Sequence, residues 1–132
     1  MIPQIETHQI IIKFREDGIM HLQYKDGILN LADSKAIFKN IRENCPWEVS
    51  PIFASGNTFS SLDKDARIFW GSPEVTKHCS AIALLTNTLG SKMMANFFLR
   101  IAKPSVPTRF FSSEEECITW LKKYPTTNKT TA

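Results

Sequence analysis

Ala81-Ile82-Ala83-Leu84-Leu85-Thr86 is the stretch on which the fold turns. Up to its closing threonine it is continuously apolar, without the alternation of a strand that has one wet face. It therefore predicts a strand covered on both faces, in the middle of a parallel sheet. Such a strand needs helices above and below it, and helical patterns flank it on either side. On the N-terminal side, Leu62, Ala66, Phe69 and Trp70 form a helical stripe behind Ser60-Ser61. Asp63 and Asp65 lie in its first turn, where carboxylates favour the helix dipole, and Gly71 and Pro73 end it. On the C-terminal side, Ser91 to Ala102 carries Met93, Met94, Phe97, Phe98 and Ile101, a wide apolar face that stops before Pro104.

Further out the pattern continues. Val49 to Ala54 reads as a short strand, and Pro51 within it, lacking an N–H, implies a strand start or an unpaired edge position. Asn30 to Cys45 reads as a helix, with Ile37, Ile41 and Cys45 spaced by four, Phe38 beside them, Asn30 as cap and Pro46 closing the segment. Ile10, Ile12 and Phe14, then Met20, Leu22 and Tyr24, alternate on either side of Glu16-Asp17-Gly18, which is a β-hairpin, and Asp26-Gly27 makes a second turn. Pro107 to Phe111 gives a last short strand. The final helix opens on overlapping capping boxes, Ser112 with Glu115 and Ser113 with Glu116, turns Ile118 and Leu121 inward, and stops at Pro125 after Lys122-Lys123. The expectation is one α/β domain over residues 1–125, in the order β-β-α-β-α-β-α-β-α. Its sheet is open and mixed, an antiparallel N-terminal hairpin followed by parallel strands with helices. Thr126 to Ala132 is polar enough to predict a disordered tail.

Composition agrees with one core. The chain has 132 residues, 42% hydrophobic and 22% charged, which is ordinary for a globular protein. Its net charge of +3 is spread along the chain with no long run of like charges, so no nucleic-acid arm is expected. No apolar run approaches the roughly 20 residues needed to span a bilayer, and Met1 to Glu6 has no basic region leading into an apolar stretch. Stable membrane insertion and export are not expected. Three cysteines, Cys45, Cys79 and Cys117, lie far apart and fit buried reduced thiols, so the expected location is the cytoplasm. Asn128-Lys129-Thr130 matches a glycosylation sequon only by chance if nothing exports the chain.

No catalytic constellation assembles from the sequence. His78-Cys79 is the only adjacent base and nucleophile, and neighbours on an extended chain point oppositely, so Cys79 is expected to be buried with His78 facing solvent. His8, His21 and His78 lack metal-ligand spacing, and His21 belongs on a hairpin face. Gly56 and Gly90 are single glycines, so neither a dinucleotide fingerprint nor a P-loop is present and no cofactor is expected. Thr86, Asn87, Ser91 and Lys92 join the C-terminal end of the central strand to a helix N-terminus, where ligands bind in open α/β sheets. They can hold an anion, and they serve equally as a turn and cap. Met93, Met94, Phe97, Phe98 and Ile101 cover more of their helix than one sheet contact needs. Core packing, an apolar pocket and a homodimer patch all fit them.

The element order resembles the STAS-like superfamily, the fold of the bacterial sporulation anti-sigma-factor antagonist, and in particular the small bacterial proteins labelled STAS/SEC14-like. The segments that carry the likeness are Asp17-Gly18-Ile19, Asp63-Lys64-Asp65-Ala66-Arg67, Ala83-Leu84-Leu85-Thr86-Asn87, Ser91-Lys92-Met93 through Asn96-Phe97-Phe98, and Lys103-Pro104 through Pro107-Thr108-Arg109-Phe110-Phe111. In antagonist-type members the corresponding loop carries Asp-Ser-Ser-Gly, whose serine is phosphorylated at a helix N-terminus. Here the stretch runs from Ala54-Ser55-Gly56-Asn57-Thr58 to Phe59-Ser60-Ser61-Leu62-Asp63, without that aspartate or that glycine. Ser60 and Ser61 are thus either a helix cap or a phospho-switch, and Asp63 and Asp65 would repel a phosphate. The resemblance implies a non-enzymatic regulatory domain that works through a protein partner or as a homodimer. The alternative is a carrier or sensor of a small apolar, lipid-like ligand held by the third helix.

Overall fold

The alternating N-terminal residues form the expected hairpin. The computed structural model describes residues 4–7, 9–25, 28–56, 62–85 and 106–129. Within it β1 (Gln4–Glu6) pairs antiparallel with β2 (Ile10–Phe14), and β2 with β3 (Met20–Tyr24). The turn closes through Arg15 N–H to the Ile19 carbonyl at 3.0 Å, with Gly18 at a φ of 84° that only glycine adopts freely. α1 (Leu31–Asn44) begins where Asn30 Oδ1 accepts from the Asp33 N–H at 2.8 Å and ends at Cys45, ahead of Pro46.

β4 (Trp47–Gly56), α2 (Lys64–Trp70), α3 (Pro73–Thr76), β5 (Cys79–Leu85), β6 (Thr108–Phe111), α4 (Glu114–Leu121) and β7 (Thr127–Asn128) follow. The sheet runs β1-β2-β3-β4-β5-β6, antiparallel up to β3 and parallel from β3 to β6, with β7 paired to β4. This is the predicted mixed α/β architecture, with β1, α3 and β7 added.

The alternation of the strands sends two apolar sets to opposite faces. On one face Ile10, Ile12, Phe14, Met20, Leu22 and Tyr24 pack under Ile37 and Ile41 of α1. On the other, Phe53, Ala81 and Ala83 meet Cys117, Trp120 and Leu121 of α4. α4 is capped by Ser113, whose Oγ accepts from the Glu116 N–H at 3.2 Å and donates to Glu116 Oε1 at 3.1 Å, so of the two overlapping boxes the second sets the start.

Several expectations change. β5 lies inside the sheet but second from its edge, and β4 holds the middle. Pro51 is therefore not at an edge: it is fully buried in the central strand. The register slips there, Ser50 facing Cys79 and Pro51 facing Ala81, so Ser80 is the extra residue of a bulge that takes up the absent N–H. The cap expected of Ser60 or Ser61 belongs to Asp63, whose Oδ1 accepts from the Ala66 N–H at 2.9 Å. The reason is the isolated bridge between Leu62 and Leu29, which holds the chain extended up to that point. Of the tail expected to be disordered, the described part is ordered: Thr127–Asn128 pairs as β7, with Thr126 Oγ1 donating to the Gly18 carbonyl at 2.9 Å and Lys129 Nζ donating to the Arg42 carbonyl. The unpaired N-terminal end of β4, at Trp47 and Val49, offers backbone groups that a polar segment satisfies without any apolar contribution. No helix among the described residues is long and apolar enough to cross a membrane.

Candidate functional site

Asp63 starts α2 so that Ala66 and Phe69 face the core. Arg67 and Trp70, three residues apart, then share the adjoining face. That face looks across the sheet to Leu22 and Tyr24 of β3, Ile52 and Ala54 of β4, and Ile82 and Leu84 of β5. Between them is a partly open cavity of about 150 Å³, flanked by Leu62, Val75 and Thr108. Arg67 Nη1 donates to the Leu62 carbonyl at 3.0 Å, which ties the guanidinium to the wall. Burial pushes the Tyr24 phenol well above its ordinary value, so its hydroxyl stays protonated.

A smaller void of about 20 Å³ adjoins it, sharing Leu22, Ile52, Trp70 and Val75 and completed by Met20, Phe38, Ile41, Arg42 and His78. Trp70 stands edge-on to Phe38, with ring centroids 6.1 Å apart. Arg42 reaches in from α1, donating from Nη2 to the Trp47 carbonyl at 3.3 Å, with Nη1 2.8 Å from His78 Nδ1. His78 Nδ1 also lies 2.9 Å from the Glu48 carbonyl, so it accepts from Arg42 in one tautomer and donates to Glu48 in the other. His78 is thus held under α1, not turned to solvent as expected, because Arg42 and Glu48 converge on it. Cys79 is buried as expected. Its thiol donates to the Ala81 carbonyl at 3.2 Å, and burial pushes it up to about 12, which leaves no thiolate to act as nucleophile.

The opposite face of the sheet presents a different surface. His21 stacks on Phe53 at 4.5 Å, and its Nε2 lies 2.8 Å from Ser55 Oγ. Burial, and then Lys13, hold its pKa below the ordinary value, with Glu114 opposing and Arg15 adding to the shift. Beside it opens a polar groove of about 670 Å³ lined by Gln4, Lys13, Arg15, Glu16, Asp17 and Glu114. The hairpin-face position expected for His21 is therefore right, although the ring is half-buried.

Ser60, Ser61, Thr86, Asn87, Ser91, Lys92, Met93, Met94, Phe97, Phe98 and Ile101 lie outside the described residues, as do His8, Thr58, Gly90 and the Asp26-Gly27 turn. The residues around the two voids carried a signal only in part: Trp70 was legible as part of an apolar stripe, whereas no pattern in the sequence singled out Arg67 or Arg42 as lining a void. Among the described residues no three His, Cys, Asp or Glu side chains cluster as a metal site would require.

Residues 12–125 match the model of a family described as Domain of unknown function (DUF7793). No curated protein matches the chain. Among solved structures it is similar to an uncharacterized protein of the DUF3478 family with a SpoIIAA-like fold from Shewanella loihica PV-4, at 9% identity and a TM-score of 0.59 over 92% of each chain. It is also similar to a protein with unknown function from Arthrobacter sp. FB24, at 30% identity over 83% of this chain and 96% of that one, with a TM-score of 0.31. The first likeness shows the fold alone, and that fold is the STAS-like architecture that the element order implied.

Proposed function

This chain belongs to the family described as a domain of unknown function, DUF7793, and from its STAS-like fold we propose a non-enzymatic regulatory domain that acts by binding a small apolar ligand. The observation that carries this reading is the cavity of about 150 Å³ between the sheet and α2, whose floor is aliphatic side chains from three strands. An apolar, partly open cavity of that size leaves hydrocarbon surface in contact with water, which a small apolar ligand would cover. Native mass spectrometry of the freshly purified protein tests the proposal. A non-covalent adduct of small mass, released on denaturation into organic solvent, supports it. Protein that carries no adduct and takes up none of a panel of small hydrocarbons and fatty acids overturns it.

A second reading, a protein-interaction module, is favoured by the groove beside the hairpin. Lys13, Arg15, Glu16, Asp17 and Glu114 there present both signs of charge around a concave surface, which suits a polar partner surface. Charge reversal at Lys13 and Glu114 would abolish partner binding under this reading and leave ligand uptake untouched.

A further inference from the structure

The two voids differ in kind. The larger is mainly apolar, with Tyr24, Arg67, Thr76 and Thr108 as the polar residues around it, and about 150 Å³ is room for a molecule the size of benzene. The smaller, at about 20 Å³, has room for one oxygen-sized atom. Two donors among its lining residues are buried without a hydrogen-bond partner among the described residues, the Trp70 indole Nε1–H and the Arg42 Nε–H. Buried donors are ordinarily paired, and two unpaired donors whose side chains line one small void point to an acceptor that belongs in it. Arg42 makes no direct carboxylate contact among the described residues: its hydrogen-bond partners are the Trp47 carbonyl and His78, and the Glu48 carboxylate reaches only as far as His78 Nδ1, at 3.4 Å. Trp70 lines both voids, so a molecule seated in the larger one can present a polar end at the edge of its indole.

We infer that the ligand is a small apolar carboxylate, its hydrocarbon body in the larger void and one carboxylate oxygen in the smaller, accepting hydrogen bonds from Trp70 Nε1 and Arg42 Nε. This rests on the ligand reading proposed above. The anion supplies Arg42 with a carboxylate in direct contact, and the apolar floor of Leu22, Ile52, Ile82 and Leu84 excludes ligands that are polar along their length. The remaining unpaired buried hydroxyls, of Ser34 and Ser80, belong to residues that line neither void.

The test compares toluene with benzoate, which share a ring and differ in the carboxylate, using isotope-labelled full-length protein and the indole N–H signals as readout. Benzoate is expected to bind at least about tenfold tighter than toluene and to move the Trp70 Nε1–H proton downfield, as a charge-assisted hydrogen bond does. Trp70→Phe keeps an aromatic ring and removes the donor, and because Trp70 also walls the larger void it is expected to weaken benzoate about tenfold more than it weakens toluene. Binding of both compounds with equal affinity, or with no movement of the Trp70 signal in the unaltered protein, overturns the carboxylate inference while the apolar-ligand reading stands. Failure of both to bind at millimolar concentration overturns the two together. The indole shift is read on the unaltered chain, so the inference stays falsifiable even if Trp70→Phe folds poorly.

Discussion

At the scale of single residues, Gly56 shows how tightly backbone and backbone approach in this sheet. It closes β4 at a φ of 85°, and a Cβ there would come 2.1 Å from the Tyr24 carbonyl oxygen, its neighbour in the parallel ladder. The contact is with backbone, which cannot swing aside. Gly56→Ala is therefore expected to destabilise the protein by about 3 kcal/mol, through the clash and the positive φ together, in urea denaturation followed by circular dichroism. A loss below about 1 kcal/mol would show that the strand end relaxes freely. His21 gives a second prediction. Its folded-state pKa lies below its ordinary value of 6.5, so the unfolded chain takes up the proton first as the pH falls. The stability that neutral His21 contributes is present above pH 6.5 and is lost as the pH drops through the lower, folded value. His21→Gln should flatten that part of the stability profile below pH 6.5, and a slope unchanged by the substitution would assign it to other groups.

Among the elements, those whose ends are set by local chemistry were legible in advance. Asn30 capping α1, Ser113 with Glu116 opening α4, and the Asp17-Gly18 hairpin turn each depend on residues within a few positions of one another. α2 was legible as a stripe but not at its start. Leu62 is held by Leu29, more than thirty residues away along the chain, so the cap moved to Asp63. Asp63→Ala should cost about 1 kcal/mol in chemical denaturation, as loss of an N-cap does, and an unaltered midpoint would return the cap to the serines. Pro51 and β7 were misplaced for the same reason. A proline in a central strand is tolerated only because β5 bulges at Ser80, and a polar tail is ordered only because the start of β4 is left unpaired. Truncation after Pro125 is expected to speed hydrogen exchange of the Trp47 and Val49 amides selectively, leaving those of β2 and β3 protected. Uniform loss of protection would mean that the tail supports the whole fold instead of one strand end.

For the whole molecule, one sheet separates two apolar clusters, α1 over one face and α4 over the other, and the strands between them are common to both. β4 places Ala54 in the first cluster and Phe53 in the second, so neither can melt without disturbing the same backbone. Thermal unfolding is accordingly expected as a single transition, with tryptophan fluorescence and far-ultraviolet circular dichroism coinciding. Separate transitions would divide the chain into two units and remove the single-domain expectation.

Alternation in the strands and capping at the helix ends are short-range matters, and through them the sequence by itself determined the fold class, the hairpin and the helices α1 and α4. The tertiary structure alone decided that β4 is central, that His78 turns inward beneath α1, and that Arg67 and Trp70 wall a cavity instead of filling it. Those outcomes depend on how closely α1, α2 and the sheet approach one another. Such a distance is set by the packing of residues far apart in the chain and is written in no single stretch of it.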